Sequence, residues 1–157
     1  MKFEFNDVIY LNEKHKENFN MCCKLHKETG RDLDAEVIPV FYLLSLAAEI
    51  DFDVIHGAYN FKDRVIKPQC LEAPWQTSSM LKTVRLAFNL WNGFMQEGRE
   101  VFSTPYEIFE NSWAPYFVQA IKLRYHAIFR KSPEEYLSDL MRNATTNKKI
   151  KIQEEII

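Results

Sequence analysis

The chain has 157 residues, 46% hydrophobic and 14% aromatic, with a formal net charge of −2. That composition excludes a disordered chain, the length suits one domain with a real core, and the near-neutral balance lacks the strong basic patch of a nucleic-acid binder. The charge is graded along the chain, with six Lys/Arg against eleven Asp/Glu in residues 1–60, six against six in 61–119 and eight against five in 120–157. This gradient is too mild to demand a nucleic acid or a membrane surface.

The first residues, MKFEFNDVIYLNEKHKE, carry acids where a signal peptide needs a basic segment and an apolar run, so no secretion signal is expected. No apolar stretch reaches the roughly 18–20 residues of a membrane span. Cys22, Cys23 and Cys70 are an odd set with two adjacent, which reads as reduced thiols and a cytoplasmic location.

Phe3 and Phe5 alternate with polar residues, as in a short strand. Asn12 is placed to cap a helix that ends near Gly30, with Phe19, Cys22, Cys23 and His26 facing one way and His15 at the edge. The second helix has two possible starts. Either Asp34 caps it, with Pro39 in its second turn, or Pro39 is its first residue, where the missing N–H costs nothing. Val40 to Ala48 has almost no polar side beyond Tyr42 and Ser45, and reads as a buried helix. A short turn of helix is expected over Asp51 to His56, another from Asn60 through Val65, and a further turn opened by Pro68. Tyr59 to Gln76 is the most irregular stretch and runs directly into the most regular one.

Ser78 to Asn92, SSMLKTVRLAFNLWN, is the second buried helix, expected to pack on the first. At about 100° per residue its apolar side chains fill a very wide arc, while Ser78, Lys82, Arg85, Asn89 and Asn92 fall on one narrow stripe. Thr77 or Ser78 supplies the N-cap, Gly93 the left-handed close, and Trp75 a staple on the first turn. Downstream, Thr104-Pro105-Tyr106-Glu107 has the pattern of a capping box and starts a helix to Glu110. A long helix from Trp113 to Arg130 follows, with an apolar face of Phe117, Val118, Ile121, Tyr125 and Ile128. Ser132-Pro133-Glu134-Glu135 repeats the capping chemistry for a helix reaching about Arg142. The fold class is therefore mainly α, a single compact domain of about six helices over residues 1–144 with a polar, basic tail over 145–157.

Few polar residues sit oddly enough to suggest chemistry. Arg85 and Asn89, with Lys82 beside them, read either as an anion site on a rigid helix or as a structural ion pair. Arg124 lies within an apolar arc and must reach outward along its stem or meet a carboxylate, for which Glu49, Asp51, Asp53 and Glu107 are candidates. Cys22 and His26 stand four apart, but a zinc site needs three or four ligands and no second pair is at motif spacing, so neither a metal nor a cofactor is expected. No nucleophile elbow, phosphate-binding glycine loop or H-E-x-x-H occurs.

Trp75-Gln76-Thr77, Arg85-Leu86-Ala87-Phe88-Asn89-Leu90 with Asn92-Gly93, Ala114-Pro115-Tyr116-Phe117 and Ala120-Ile121-Lys122-Leu123-Arg124-Tyr125 together resemble an uncharacterised family of small proteins from Gram-positive bacteria and their phages and mobile elements. The resemblance covers residues 38 to 126. It implies a bacterial or phage accessory protein, brings no activity, and singles out Trp75, Gln76, Arg85, Asn89 and Arg124. The expected function is binding of another protein without catalysis, with no membrane partner and with self-association into a homo-oligomer left open. The rival readings are a small enzyme or ligand binder that takes an anionic group through Arg85, Asn89 and Arg124, and nucleic-acid binding through residues 122–151.

Overall fold

The computed structural model describes residues 7–48, 51–74, 76–130 and 132–155, with the side chains of the last helix described through Ala144. The expected strand at Phe3 and Phe5, and the staple at Trp75, lie outside the described residues. The chain forms two compact units, Met1–Arg124 and Tyr125–Ile157.

The first unit is built around α2 (Val37–Ala47), all eleven residues of which are buried. A helix with no wet side must be walled all round, and α4 (Ser78–Asn92) is its most extensive neighbour, followed by α1 (Glu13–Glu28), α6 (Ala114–Arg124) and the short α3 (Asp53–Ala58). The two expected central helices are thus the centre. Even the polar atoms of α2 are answered, the Tyr42 hydroxyl donating to the Ile9 carbonyl at 2.6 Å and the Ser45 hydroxyl lying 3.7 Å from the Cys22 sulfur. Its start falls between the two expectations, the helix beginning at Val37. Asp34 Oδ1 accepts the N–H groups of Glu36 and Val37, and Pro39 falls at the third helical position, where a missing N–H still breaks no helical bond.

Helix α1 is fastened to α2 by polar side chains as well as by packing. Asn12 caps it, accepting the His15 N–H at 2.9 Å. His15, expected at the edge, is instead completely buried, because it joins two segments: Nδ1 accepts the Leu11 N–H at 3.1 Å, so Nε2 carries the proton and donates to the Tyr42 carbonyl at 2.9 Å. Asn18 Nδ2 donates to the Ala48 carbonyl at 3.1 Å, closing the end of α2.

The region after α3 departs from expectation. In place of a helix from Asn60 there is an antiparallel hairpin, β1 (Tyr59–Asn60) with β2 (Val65–Ile66), Tyr59 opposite Ile66 and Asn60 opposite Val65. Asn60 Oδ1 does accept the N–H of Asp63, three residues on, but the chain then turns through Arg64 at φ 57° and pairs back. That left-handed backbone is uncommon for a residue with a side chain. Arg64 is held there by its ion pair with Asp34 and by lying 5.4 Å from the Trp91 ring centroid. Pro68 opens a 3-10 turn, Pro68–Glu72, as expected.

Helix α4 has the expected limits. Thr77 accepts the Met80 N–H and Gly93, at φ 78°, takes the left-handed closing position that a residue with a Cβ occupies only under strain. A second 3-10 turn, Glu100–Ser103, leads into α5 (Pro105–Phe109). Here the capping box is not made, since the Thr104 hydroxyl turns back to the Val101 carbonyl at 2.7 Å. The long helix expected over 113–130 is interrupted at Tyr125, φ −114° and ψ 34°, leaving α6 and the one-turn α7 (His126–Phe129). Of the expected face Phe117 is buried and Ile121 half-buried against the core, but the buried side is rotated to take in Ala120 and Leu123, and Val118, Tyr125 and Ile128 are exposed. The rotation follows from Trp113 and Tyr116, which pack against the core and bring that side of α6 inward.

In the second unit, α8 (Pro133–Glu155) runs well past Arg142. Its capping box is complete, Glu135 N–H donating to Ser132 Oγ at 3.2 Å and Ser132 N–H to Glu135 Oε2 at 2.8 Å.

Candidate functional site

Most of the polar residues singled out in the sequence hold backbone carbonyls around α4. Lys82 Nζ donates to the Glu110 carbonyl at 3.0 Å and Asn89 Nδ2 to the Phe94 carbonyl at 3.3 Å. Gln76 Nε2 donates to the Cys70 carbonyl. Arg124 Nε donates to the Leu90 carbonyl at 2.9 Å. Leu90 is in the last turn of α4, where carbonyls have no helical partner and a positive charge is favoured by the helix dipole. Trp75 lies outside the described residues.

Arg85 is different. It is 7% exposed, and its Nη2 donates to the side-chain oxygen of Gln96 at 3.2 Å while its Cζ lies 5.0 Å from the Phe102 ring centroid. Its Nε is buried without a partner, and among the described residues no carboxylate pairs with it. Burial lowers its pKa, the neighbouring Arg99 lowers it further, and Glu72 opposes them. Gln96 relays between charges, its Nε2 donating to Glu72 Oε1 at 2.6 Å, and that same oxygen accepts from Arg99 Nη1 at 3.4 Å. One carboxylate therefore answers two guanidinium groups. Arg85 and Arg124 do not share this cluster: one points to Gln96 and the other to the end of α4.

Glu72, Gln96, Arg99 and Phe102 were not legible as site residues. Gln96 and Arg99 sit in the connection after Gly93, which has no period, and what brings it back is the positive φ of Gly93 and Gly98. Those glycines are the one signal present in the sequence. The same stretch carries exposed apolar side chains, with Met95, Val101, Phe102 and Tyr106 48%, 57%, 41% and 75% exposed.

The three thiols and two of the histidines, His15 and His26, are quenched by burial. The thiols of Cys22, Cys23 and Cys70 are each pushed up to about 12, far from the thiolate that a nucleophile requires. Burial lowers His15 to about 4, and it lowers His26, whose Nε2 is 3.0 Å from the Asp32 carbonyl. Among the described residues no group of three His, Cys, Asp or Glu side chains is placed to hold a metal. A separate hollow of about 760 Å³ opens between α1 and α3, floored by Met21, Leu25 and Phe52 and rimmed by Lys14, Glu17 and Lys24. Its rim charges are mixed, and Asn18, on its wall, is already committed to Ala48.

The model of a family described as "Family of unknown function (DUF6075)" matches residues 5–137. The chain belongs to DUF6075. No curated protein and no solved structure matches it. The DUF6075 match contains the span 38 to 126 recognised from sequence motifs and extends beyond it at both ends. It takes in α1 to α7, the hairpin and the whole Arg85 cluster, and it ends in the second turn of α8. No helix among the described residues of this DUF6075 protein is long and apolar enough to cross a membrane.

Proposed function

We propose that this protein acts by binding another protein, through the surface formed by Met95, Val101, Phe102 and Tyr106 beside Arg85. The observation that carries the reading is this run of exposed apolar and aromatic side chains within residues 95–106, one of which, Phe102, lies against the Arg85 guanidinium. Surface apolar side chains scattered singly need no explanation, whereas gathered ones mark contact surfaces. Arginine and tyrosine are also the residues that dominate binding energy at protein interfaces. The quenched thiols, the quenched His15 and His26, and the use of Lys82, Asn89 and Arg124 to hold backbone favour binding over catalysis. The family resemblance, together with the three free cysteines, supports a cytoplasmic accessory protein of a Gram-positive bacterium or one of its phages or mobile elements.

Immobilised protein exposed to a native host lysate is expected to retain a defined partner, and a Phe102→Ser/Tyr106→Ser variant to lose it. Both positions are exposed, so the variant keeps its fold and the comparison isolates the surface. Equal retention by the two proteins, or retention by neither, would overturn the reading.

A further inference from the structure

We propose that the partner is held through one of its carboxylates, taken up by Arg85 and Arg99, so that the recognised element is an acidic residue flanked by apolar ones. This rests on the protein-binding reading above and names the chemistry of that same face.

The starting point is a charge imbalance. A guanidinium carries five N–H donors in a planar fork that matches a carboxylate. Arg85 spends one of them on the neutral amide of Gln96, turns its face to Phe102, and leaves Nε buried without an acceptor. A nearly buried charge is costly unless paired. Arg64 in this same chain shows the ordinary solution, an ion pair with Asp34. At Arg85 the nearby carboxylate is Glu72, whose Oε1 bonds Gln96 and Arg99 and reaches Arg85 only through the neutral Gln96 amide.

The sum fixes the class of ligand. Two guanidinium groups against one carboxylate leave one positive charge, which a single further carboxylate neutralises. A phosphate dianion would overshoot and face the repulsion of Glu72. The group that stands where the ligand belongs is the Gln96 side-chain oxygen, a neutral acceptor on a half-exposed residue of a surface connection. An incoming carboxylate would replace it with a charged acceptor, and hydrogen bonds to ionised groups are roughly twice as strong as neutral ones. Phe102, against the Arg85 guanidinium, with Val101 beside it in the chain and Tyr106 four residues on, both exposed, supplies apolar surface for the ligand's flanks, and that contact would exclude the water that weakens an ion pair.

The test is a selection of random peptides on the intact protein, repeated with Arg85→Met, Arg99→Gln and Phe102→Ser. Peptides retained by the unaltered protein are expected to carry Asp or Glu between apolar residues, and conversion of that residue to its amide to weaken binding about tenfold or more. Arg85→Met and Arg99→Gln should each lose that discrimination, and Phe102→Ser should lose the peptides themselves. If Arg85→Met does not fold, Arg99→Gln, at an exposed position, carries the same comparison. Peptides without an acidic residue that bind the unaltered protein and both arginine variants alike, but not Phe102→Ser, would overturn the carboxylate assignment and leave the protein-binding face standing. Retention of no peptide, or retention indifferent to Phe102→Ser, would remove the face and this proposal with it.

Discussion

Phe88→Ala is expected to lower the unfolding free energy by about 3–5 kcal/mol, the range for emptying an aromatic side chain from a packed interior. Phe88 is completely buried on α4, the helix that packs most extensively on α2, and it meets Phe94 edge to face with ring centroids 5.8 Å apart. The loss has two parts, the transfer of the ring to water and the hole left among neighbours that cannot close up. Since small domains are stable by only about 5–15 kcal/mol, such a variant approaches the limit of folding at 25 °C. Phe88→Leu keeps most of the volume and provides a milder comparison. Phe102→Ala, at a position 41% exposed, should cost far less. Urea denaturation of the three variants, followed by the tryptophan signal, checks the order; a Phe88→Ala midpoint equal to that of Phe102→Ala would contradict the packing described above.

The second large effect is a loss of stability in mild acid. His15 is held neutral, accepting from the Leu11 N–H and donating to the Tyr42 carbonyl, and burial lowers its pKa to about 4 from the ordinary 6.5. As pH falls the unfolded chain takes up this proton before the folded one, so the free energy contributed by the neutral form is complete above about pH 6.5 and drains away down to about pH 4. A shift of that size corresponds to roughly 3 kcal/mol. His26, lowered for the same reason, adds in the same direction. The urea midpoint should therefore fall between about pH 7 and pH 4.5, and His15→Gln should be less stable at neutral pH but show a flatter pH profile. A midpoint that does not move over this interval would mean that His15 accepts a proton without losing its place.

The helix limits were legible because their signals are local. Asn12, Thr77, Gly93 and the Ser132–Glu135 pair each act within three or four residues of themselves, and each does in the structure what its spacing implies. Asn60 shows where such reading fails. Its bond to the N–H of Asp63 has the same three-residue reach as an N-cap bond, but the pairing that turns the chain into a hairpin lies beyond it, between Tyr59 and Ile66. Thr104 fails in the opposite sense, since the helix forms while its hydroxyl satisfies the preceding turn. The site was half legible. Arg85 stood out as a charge on an otherwise swallowed helix, but its partners come from Glu72, thirteen positions earlier, and from the aperiodic connection through Gln96 and Arg99. Arg124 stood out for the same reason as Arg85, and its role proved to lie at the end of α4, a place that only the packed fold defines.

The complete enclosure of α2 has a consequence for how the first unit opens. Its flanking helices α1, α3, α4 and α6 share it as an inner wall, so none of them can lift away alone without baring an apolar surface that has no other cover. Partial openings are therefore confined to the periphery. The backbone amide protons of residues 41–47 should trade with deuterium only when the entire unit comes apart, and at the slowest rate anywhere in it.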